Sequence, residues 1–193
     1  MKRLSLIFIA VFALTMTTSC KKDKKDTPAE VTKEMPKETK TNEVKKLKIA
    51  LESKSGSTVK GNAVFTQENG VVTMVAVMDG LKEGEHAIHL HENADCSADD
   101  GSSAGGHWNP TNQPHGKWGS SDGYHKGDIG NFKADANGNG TITVTTDEWC
   151  IDCGDANKNI VGKSIIVHEG VDDFKTQPTG NAGGRVSCGG IIQ

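Results

Sequence analysis

From Leu47 onward, apolar and polar positions alternate in short stretches broken by Gly, Asn and Asp. A period of two marks half-buried strands. Residues 47–51 (LKIAL) predict a first strand. Residues 62–68 and 71–78 flank Asn69-Gly70, a dipeptide that tight hairpins favour, and predict a second and third. Residues 86–91 predict a fourth, 127–133 and 141–145 a hairpin through ANGNG, 163–168 a seventh, and 185–192 an eighth. A long Gly/Ser/Asn-rich stretch follows the fourth strand to about Lys126, and a second loop, residues 169–184, follows the seventh. Eight short strands of this kind predict an all-β antiparallel sandwich or barrel. Loops that long usually carry function.

The N-terminal part has a different pattern. In residues 1–19, Lys2 and Arg3 precede an apolar run, residues 4–16, too short to span a bilayer comfortably. That pattern predicts an export signal. Cys20 follows in TTSC, with KKDKKD after it, and the pattern resembles a bacterial lipoprotein signal. The resemblance implies that Cys20 is lipidated and becomes the mature N-terminus. The expected location is then outside the cytoplasm, lipid-anchored at the cell envelope, in the periplasm or at the outer membrane. Residues 20–46 offer almost nothing to bury and are expected to form a disordered charged tether. The folded domain is expected over 47–193.

The formal charge of −3 hides a split along the chain. Residues 21–46 carry nine Lys against six acidic residues, whereas 47–193 carry eleven Lys+Arg against nineteen Asp+Glu. Phosphate contacts need clustered cations, so a domain this acidic is not expected to bind nucleic acid.

Six of the seven histidines lie between residues 86 and 125: His86, His89, His91, His107, His115 and His125. His168 ends the apolar run SIIVH. Such crowding says metal. His89 and His91 are two apart on a strand and share a face, with Ile88 and Leu90 on the other. His107 and His115 come from the following loop, and Asp128 lies three after His125. Nitrogen donors with one carboxylate suit zinc or copper rather than calcium or magnesium. His86 has the opposite strand parity and is expected to be a surface or capping residue.

HLHE, GGHWNP, PHG, HKGDIGN, VHEGVDD and TGNAGGRVSCG occur in this order and together resemble the copper/zinc superoxide dismutases over residues 47–193. The resemblance implies a Greek-key β-barrel. It implies an enzyme that converts superoxide to dioxygen and hydrogen peroxide by one-electron cycling of copper beside a structural zinc. By the same match, His89, His91, His107 and His168 would bind copper. His107, His115, His125 and Asp128 would bind zinc, with His107 bridging the two ions and taking part in catalysis. Asp172 would be the carboxylate linking a copper ligand to a zinc ligand, and Arg185 the catalytic arginine lining the channel. Cys96 and Cys188 would form the intrasubunit disulfide. Trp108 stands where phenylalanine is more usual in the family, as a loop anchor.

Cys150 and Cys153, in WCIDCGD, have no counterpart in the family pattern. They could form a local disulfide, remain free thiols, or serve exchange or metal transfer with a partner. Lys117, Lys126 and Lys175 are candidates for guiding the substrate anion, against the plainer reading of solvated surface lysines. The expected partners are superoxide and a membrane through Cys20, with a second copy of the chain, as a homodimer, left open. Two rival functions stay open: a non-catalytic copper/zinc-binding lipoprotein on the same fold, such as a copper-handling module, and a zinc-only structural or adhesion lipoprotein.

Overall fold

The computed structural model describes residues 43–193; the expected export signal, Cys20 and all but the end of the expected tether lie outside the described residues. Eight strands form a closed antiparallel barrel: β1 (Lys45–Ser53), β2 (Lys60–Glu68), β3 (Val71–Asp79), β4 (Gly84–His91), β5 (Gly130–Ala134), β6 (Gly140–Thr146), β7 (Ser164–His168) and β8 (Arg185–Gly190). Around the barrel the order is β1-β2-β3-β6-β5-β4-β7-β8. The chain thus leaves β3 to open a second group of strands and returns to pair β6 with β3, which is a Greek-key arrangement. The described residues contain no α-helix, only a short 3-10 turn at Ser102–Ala104.

The alternation seen in the sequence is the alternation of the barrel wall. Val72, Met74, Ala76 and Met78 of β3 are buried, while Val71, Val75 and Val77 face out. Phe65, Leu51, Ile88, Leu90 and Ile165 complete a continuous core. Asn69 and Gly70 both have positive φ, 52° and 82°, as the tight β2–β3 turn requires. Strand β1 begins at Lys45, two residues before its apolar pattern. Lys45 pairs with Gln67, and its ammonium reaches the carbonyls of Ile151 (3.0 Å) and Asp152 (2.9 Å). The lysine stem covers the barrel wall while its charge finds acceptors, so the strand extends into sequence that reads as tether.

Strand β4 breaks the alternation: all of His86–His91 is buried. Its inner face is core, and its outer face lies under the loop between β4 and β5. That loop is stitched to β4 by backbone bonds from Trp108 N to Leu90 O (2.8 Å), Leu90 N to Gly127 O (2.9 Å) and Gly127 N to Trp108 O (3.0 Å). A Cβ at Gly127 would collide with the Leu90 carbonyl, so only glycine permits this approach. Trp108, 3% exposed, anchors the loop in the main core. The expected fifth strand, residues 127–133, shortens at its start because Gly127 is taken by this stitching and the N–H groups of Asp128 and Ile129 bond locally, to His125 O and Gly127 O.

Candidate metal centre

His89 and His91 project from the outer face of β4, and His168 from the end of the adjacent β7. His107 lies opposite His91 in an isolated antiparallel bridge. His115, His125 and Asp128 arrive on the same loop. Two groups result, each with donor atoms within 4.8 Å of one another: His89, His91, His107 and His168; and His107, His115, His125 and Asp128. His107 belongs to both. Its ring centroid lies 4.0 Å from that of His89 and 5.0 Å from His91 on one side, and 5.3 Å from His115 and 5.6 Å from His125 on the other.

Each imidazole is oriented by what its other atoms touch. His89 Nε2 meets Asp172 Oδ2 at 2.9 Å, and His115 Nε2 meets Asp172 Oδ1 at 2.9 Å. Asp172 therefore joins one residue of each group. It is held in turn by Asn131, which donates to its carbonyl (2.9 Å) and accepts from its N–H (2.8 Å). His91 Nδ1 donates to Gly105 O (2.9 Å), and His168 Nδ1 faces Gly183 O (3.3 Å). Asp128 Oδ1 lies 2.8 Å from His107 Nδ1, and Oδ2 accepts from the N–H groups of His125 (2.8 Å) and Gly116 (3.0 Å).

Among the described residues, the buried side-chain polar atoms without a hydrogen-bond partner are Ser164 Oγ and six imidazole nitrogens: His89 Nδ1, His91 Nε2, His107 Nε2, His115 Nδ1, His125 Nδ1 and His168 Nε2. Leaving such atoms unpaired is costly, and native structures rarely do so without cause. All six point into the two groups. His115 Nδ1 and His125 Nδ1 sit 3.0 and 3.1 Å from Asp128 oxygens without hydrogen-bond geometry, as ligand atoms around a common ion would. The donors fit two borderline transition-metal ions, and an all-oxygen shell for calcium or magnesium is absent from both groups.

The electrostatics keep His91, His107 and His168 neutral, the form that offers a lone pair. Burial holds His91 and His168 well below the usual histidine range, and neighbouring imidazoles push the same way. Burial also lowers His107, to about 4, against the pull of Asp128. His115 moves the other way. Burial opposes its charged form, but the carboxylates of Asp128 and Asp172 outweigh it and raise the ring to about 9. Burial works to raise Asp128 and Asp172, yet their histidine partners overcome it and hold both carboxyls below the ordinary range.

Arg185 opens β8 opposite His168. Its guanidinium is partly exposed and donates through Nη1 to Gly101 O (2.7 Å) and Nη2 to Gly105 O (2.8 Å). Gly105 O thus receives both Arg185 and His91. Cys96 and Cys188 are joined, Cα–Cα 5.8 Å, which ties the segment carrying Gly101 and Gly105 to β8. Cys150 and Cys153 are also joined, as the local-disulfide reading has them.

Three features of the site escape the sequence. His86 is not a surface residue. Its parity puts it on the inner face of the barrel wall, 4% exposed, with its ring nitrogens against His168 O (3.0 Å) and Lys82 O (2.8 Å). It therefore braces the end of β7. Gln177 pairs with the His115 main chain like a piece of backbone, accepting from its N–H and donating to its carbonyl, both at 2.9 Å. Nothing local signals that contact across 62 residues of sequence. Finally, Lys126 is engaged by Glu148, its side chain only 20% exposed, and is not free to guide an anion. Lys117 and Lys175 are exposed.

A closed Greek-key barrel whose outer wall carries a histidine-bridged pair of metal groups defines an all-β dinuclear metalloprotein. Residues 59–191 match the family model for copper/zinc superoxide dismutase. An extracellular superoxide dismutase [Cu-Zn] of Drosophila melanogaster is 41% identical over 142 residues, 69% of this chain and 75% of that protein. A copper chaperone for superoxide dismutase of Rattus norvegicus is 32% identical over 161 residues, 79% of this chain but 56% of that protein. Among solved structures, a double mutant of a SOD-like protein from Bacillus subtilis superposes with a TM-score of 0.67 at 30% identity, covering 76% of this chain and 97% of that one. The chain belongs to the copper/zinc superoxide dismutase family, and its cofactors are copper and zinc.

Proposed function

We propose that the protein is an exported superoxide dismutase that converts superoxide to dioxygen and hydrogen peroxide. The observation that carries this reading is the set of six partnerless imidazole nitrogens arranged around His107. His89, His91, His107 and His168 would hold copper, and His107, His115, His125 and Asp128 would hold zinc. Bound copper would supply the one-electron couple, and zinc a charge with no redox chemistry of its own.

The chain's own groups supply the rest. His107 is the one residue that offers a nitrogen to each group, and its burial keeps it neutral in the metal-free protein. Its ring is therefore placed to carry a proton at the nitrogen facing the copper group. Asp172 holds His89 and His115 in the tautomers that leave Nδ1 free to coordinate. Arg185 binds and orients the anion. Two carbonyls fix its fork, and its remaining N–H donors and permanent charge stay available. Since residues 47–193 carry eleven cations against nineteen carboxylates, attraction by net charge cannot drive capture. Local focusing at the cleft by Arg185 and the metals can.

A non-catalytic copper/zinc-binding module is the competing reading, and the likeness to a copper chaperone gives it substance. Full retention of the donor set together with Arg185 favours the enzyme. The test is superoxide decay followed by pulse radiolysis on protein loaded with both metals. Fast second-order decay is expected, and Arg185→Ala should slow it at least ~10-fold with metal content unchanged, an electrostatic loss of about 1.4 kcal/mol. Loaded protein that leaves superoxide decay at the spontaneous rate would favour the binding module.

Export and lipid anchoring through Cys20 belong to the same proposal. They are supported by the TTSC pattern and by the extracellular relative. Metabolic labelling with a fatty-acid analogue should mark the wild-type chain and not Cys20→Ser. Equal labelling of both would end the anchoring proposal.

A further inference from the structure

The segment between β6 and β7 contains WCIDCGD, which the proposed reaction does not use. It lies against the loop that carries the zinc group. Glu148 takes two donors from that loop: Tyr124 Oη donates a hydrogen bond to Oε1 at 2.5 Å, and the Lys126 ammonium pairs with Oε2. Next along the chain, the Trp149 indole N–H donates to the carbonyl of Lys126 at 2.9 Å. Tyr124 and Lys126 are the two neighbours of His125. The ring of Trp149, fully buried, also meets Trp118 edge-on at 5.4 Å, and Trp118 packs on Tyr124 at 5.4 Å.

We infer that Glu148 and Trp149 are positioning residues for the zinc ligand His125, gripping the chain on both sides of it. The loop here needs such help. Residues 117–126 form no strand and contain three serines or aspartates and two glycines in their middle. Regular backbone hydrogen bonding therefore does not order them, and a flexible ligand raises the rate at which an ion escapes.

The grip has a rigid base. Cys150 N bonds to Lys158 O (2.7 Å) and Cys150 O accepts from Ile160 N (3.0 Å). Ile151 N bonds to the Gln67 side chain on β2 at 2.6 Å, and Cys150 is linked to Cys153. The backbone that carries Trp149 is thus tied to the barrel independently of the metal loop. Displacing His125 requires breaking contacts to a fixed support.

This inference rests on zinc being held by His107, His115, His125 and Asp128, and the experiment separates the two. Wild type, Glu148→Ala and Trp149→Phe are loaded with copper and zinc. Dissociation of each metal is then followed with a chromophoric chelator, and the melting temperature of each metal-free protein is recorded. Trp149→Phe keeps an aromatic ring in the core and loses only the N–H donor. Glu148→Ala changes a partly exposed residue and leaves the core intact. Zinc should leave each variant about 5- to 10-fold faster, at the lower end of what groups behind a metal ligand typically contribute. Copper dissociation should stay within about twofold of wild type by the same reasoning, since neither residue touches a copper ligand. A merely structural role would lower metal-free melting and speed loss of both metals together, and that outcome overturns the inference. Wild-type protein that takes up zinc, with variants that release it at the wild-type rate, overturns it alone. Wild-type protein that binds no zinc overturns both the inference and the ligand assignment.

Discussion

Replacing Asp172 by Asn should weaken one metal site and spare the other. The carboxylate is 1% exposed and accepts from His89 at Oδ2 and from His115 at Oδ1. An amide keeps one acceptor and turns the other into an N–H2 donor. Which atom goes where is decided by a third contact: Phe174 N donates to Oδ1 at 2.7 Å. An N–H2 at that position would face two donors, His115 and Phe174. The amide oxygen should therefore take the Oδ1 position and leave the N–H2 facing His89. His89 then loses its acceptor, and the tautomer that frees Nδ1 is no longer favoured. A hydrogen bond to a charged group contributes ~1.5–3 kcal/mol. At about 1.4 kcal/mol per decade, copper affinity should fall on the order of 10- to 100-fold. Zinc affinity should fall much less, because His115 keeps its acceptor. The assay is competition with a chelator of known affinity for each metal, alongside the visible copper absorption band. Zinc weakened more than copper would refute the reasoning about the amide's orientation. Neither weakened would refute the orienting role of Asp172.

Three further outcomes are expected. Gln177→Ala removes both bonds to the His115 main chain, so zinc should dissociate several-fold faster with little change in copper; equal loss of both metals would show that the clamp is merely part of the loop's packing. In metal-free protein, His115 is raised to about 9 from an ordinary value near 6.5, so its contribution to stability is full below about 6.5 and is lost as pH rises through about 9; calorimetry of metal-free protein should show melting temperature falling from pH 7 to 10, and a flat profile would contradict it. Reducing the Cys96–Cys188 disulfide should cost ~2–4 kcal/mol and free the segment that fixes Arg185, so activity should fall more than metal content; loss of both in proportion would place the disulfide's effect on the metals instead.

Much of this was legible in advance because it is periodic or compositional. The period-two pattern gave the eight strands to within a few residues, and Asn69-Gly70 located the β2–β3 turn. The limits of β1 and β5 differ from the local pattern where longer-range contacts outweigh it: Lys45 reaches Ile151 O, and Gly127 is drawn into the stitch with Trp108 and Leu90. For His86 the surface alternative fails, because parity identifies a face but not its surroundings. The inner face at the end of β4 holds two carbonyls ready for an imidazole. The acidic balance of the domain was evident from the sequence, but only the pairing with Glu148 removes Lys126 from the candidates for anion guidance.

The sequence by itself determined the donor inventory and the strand parity: six histidines and an aspartate in one stretch, and a seventh histidine at the end of a later apolar run. Those follow from residue type and from the geometry of a strand, which are local. Tertiary structure alone decided which nitrogen of each ring is left without a partner, which oxygen of Asp172 meets which ring, and that Gln177, Glu148 and Trp149 contact the loop. These depend on hydrogen bonds between residues from 22 to 83 positions apart, and no local pattern encodes such pairings until the barrel closes and brings its two long loops together.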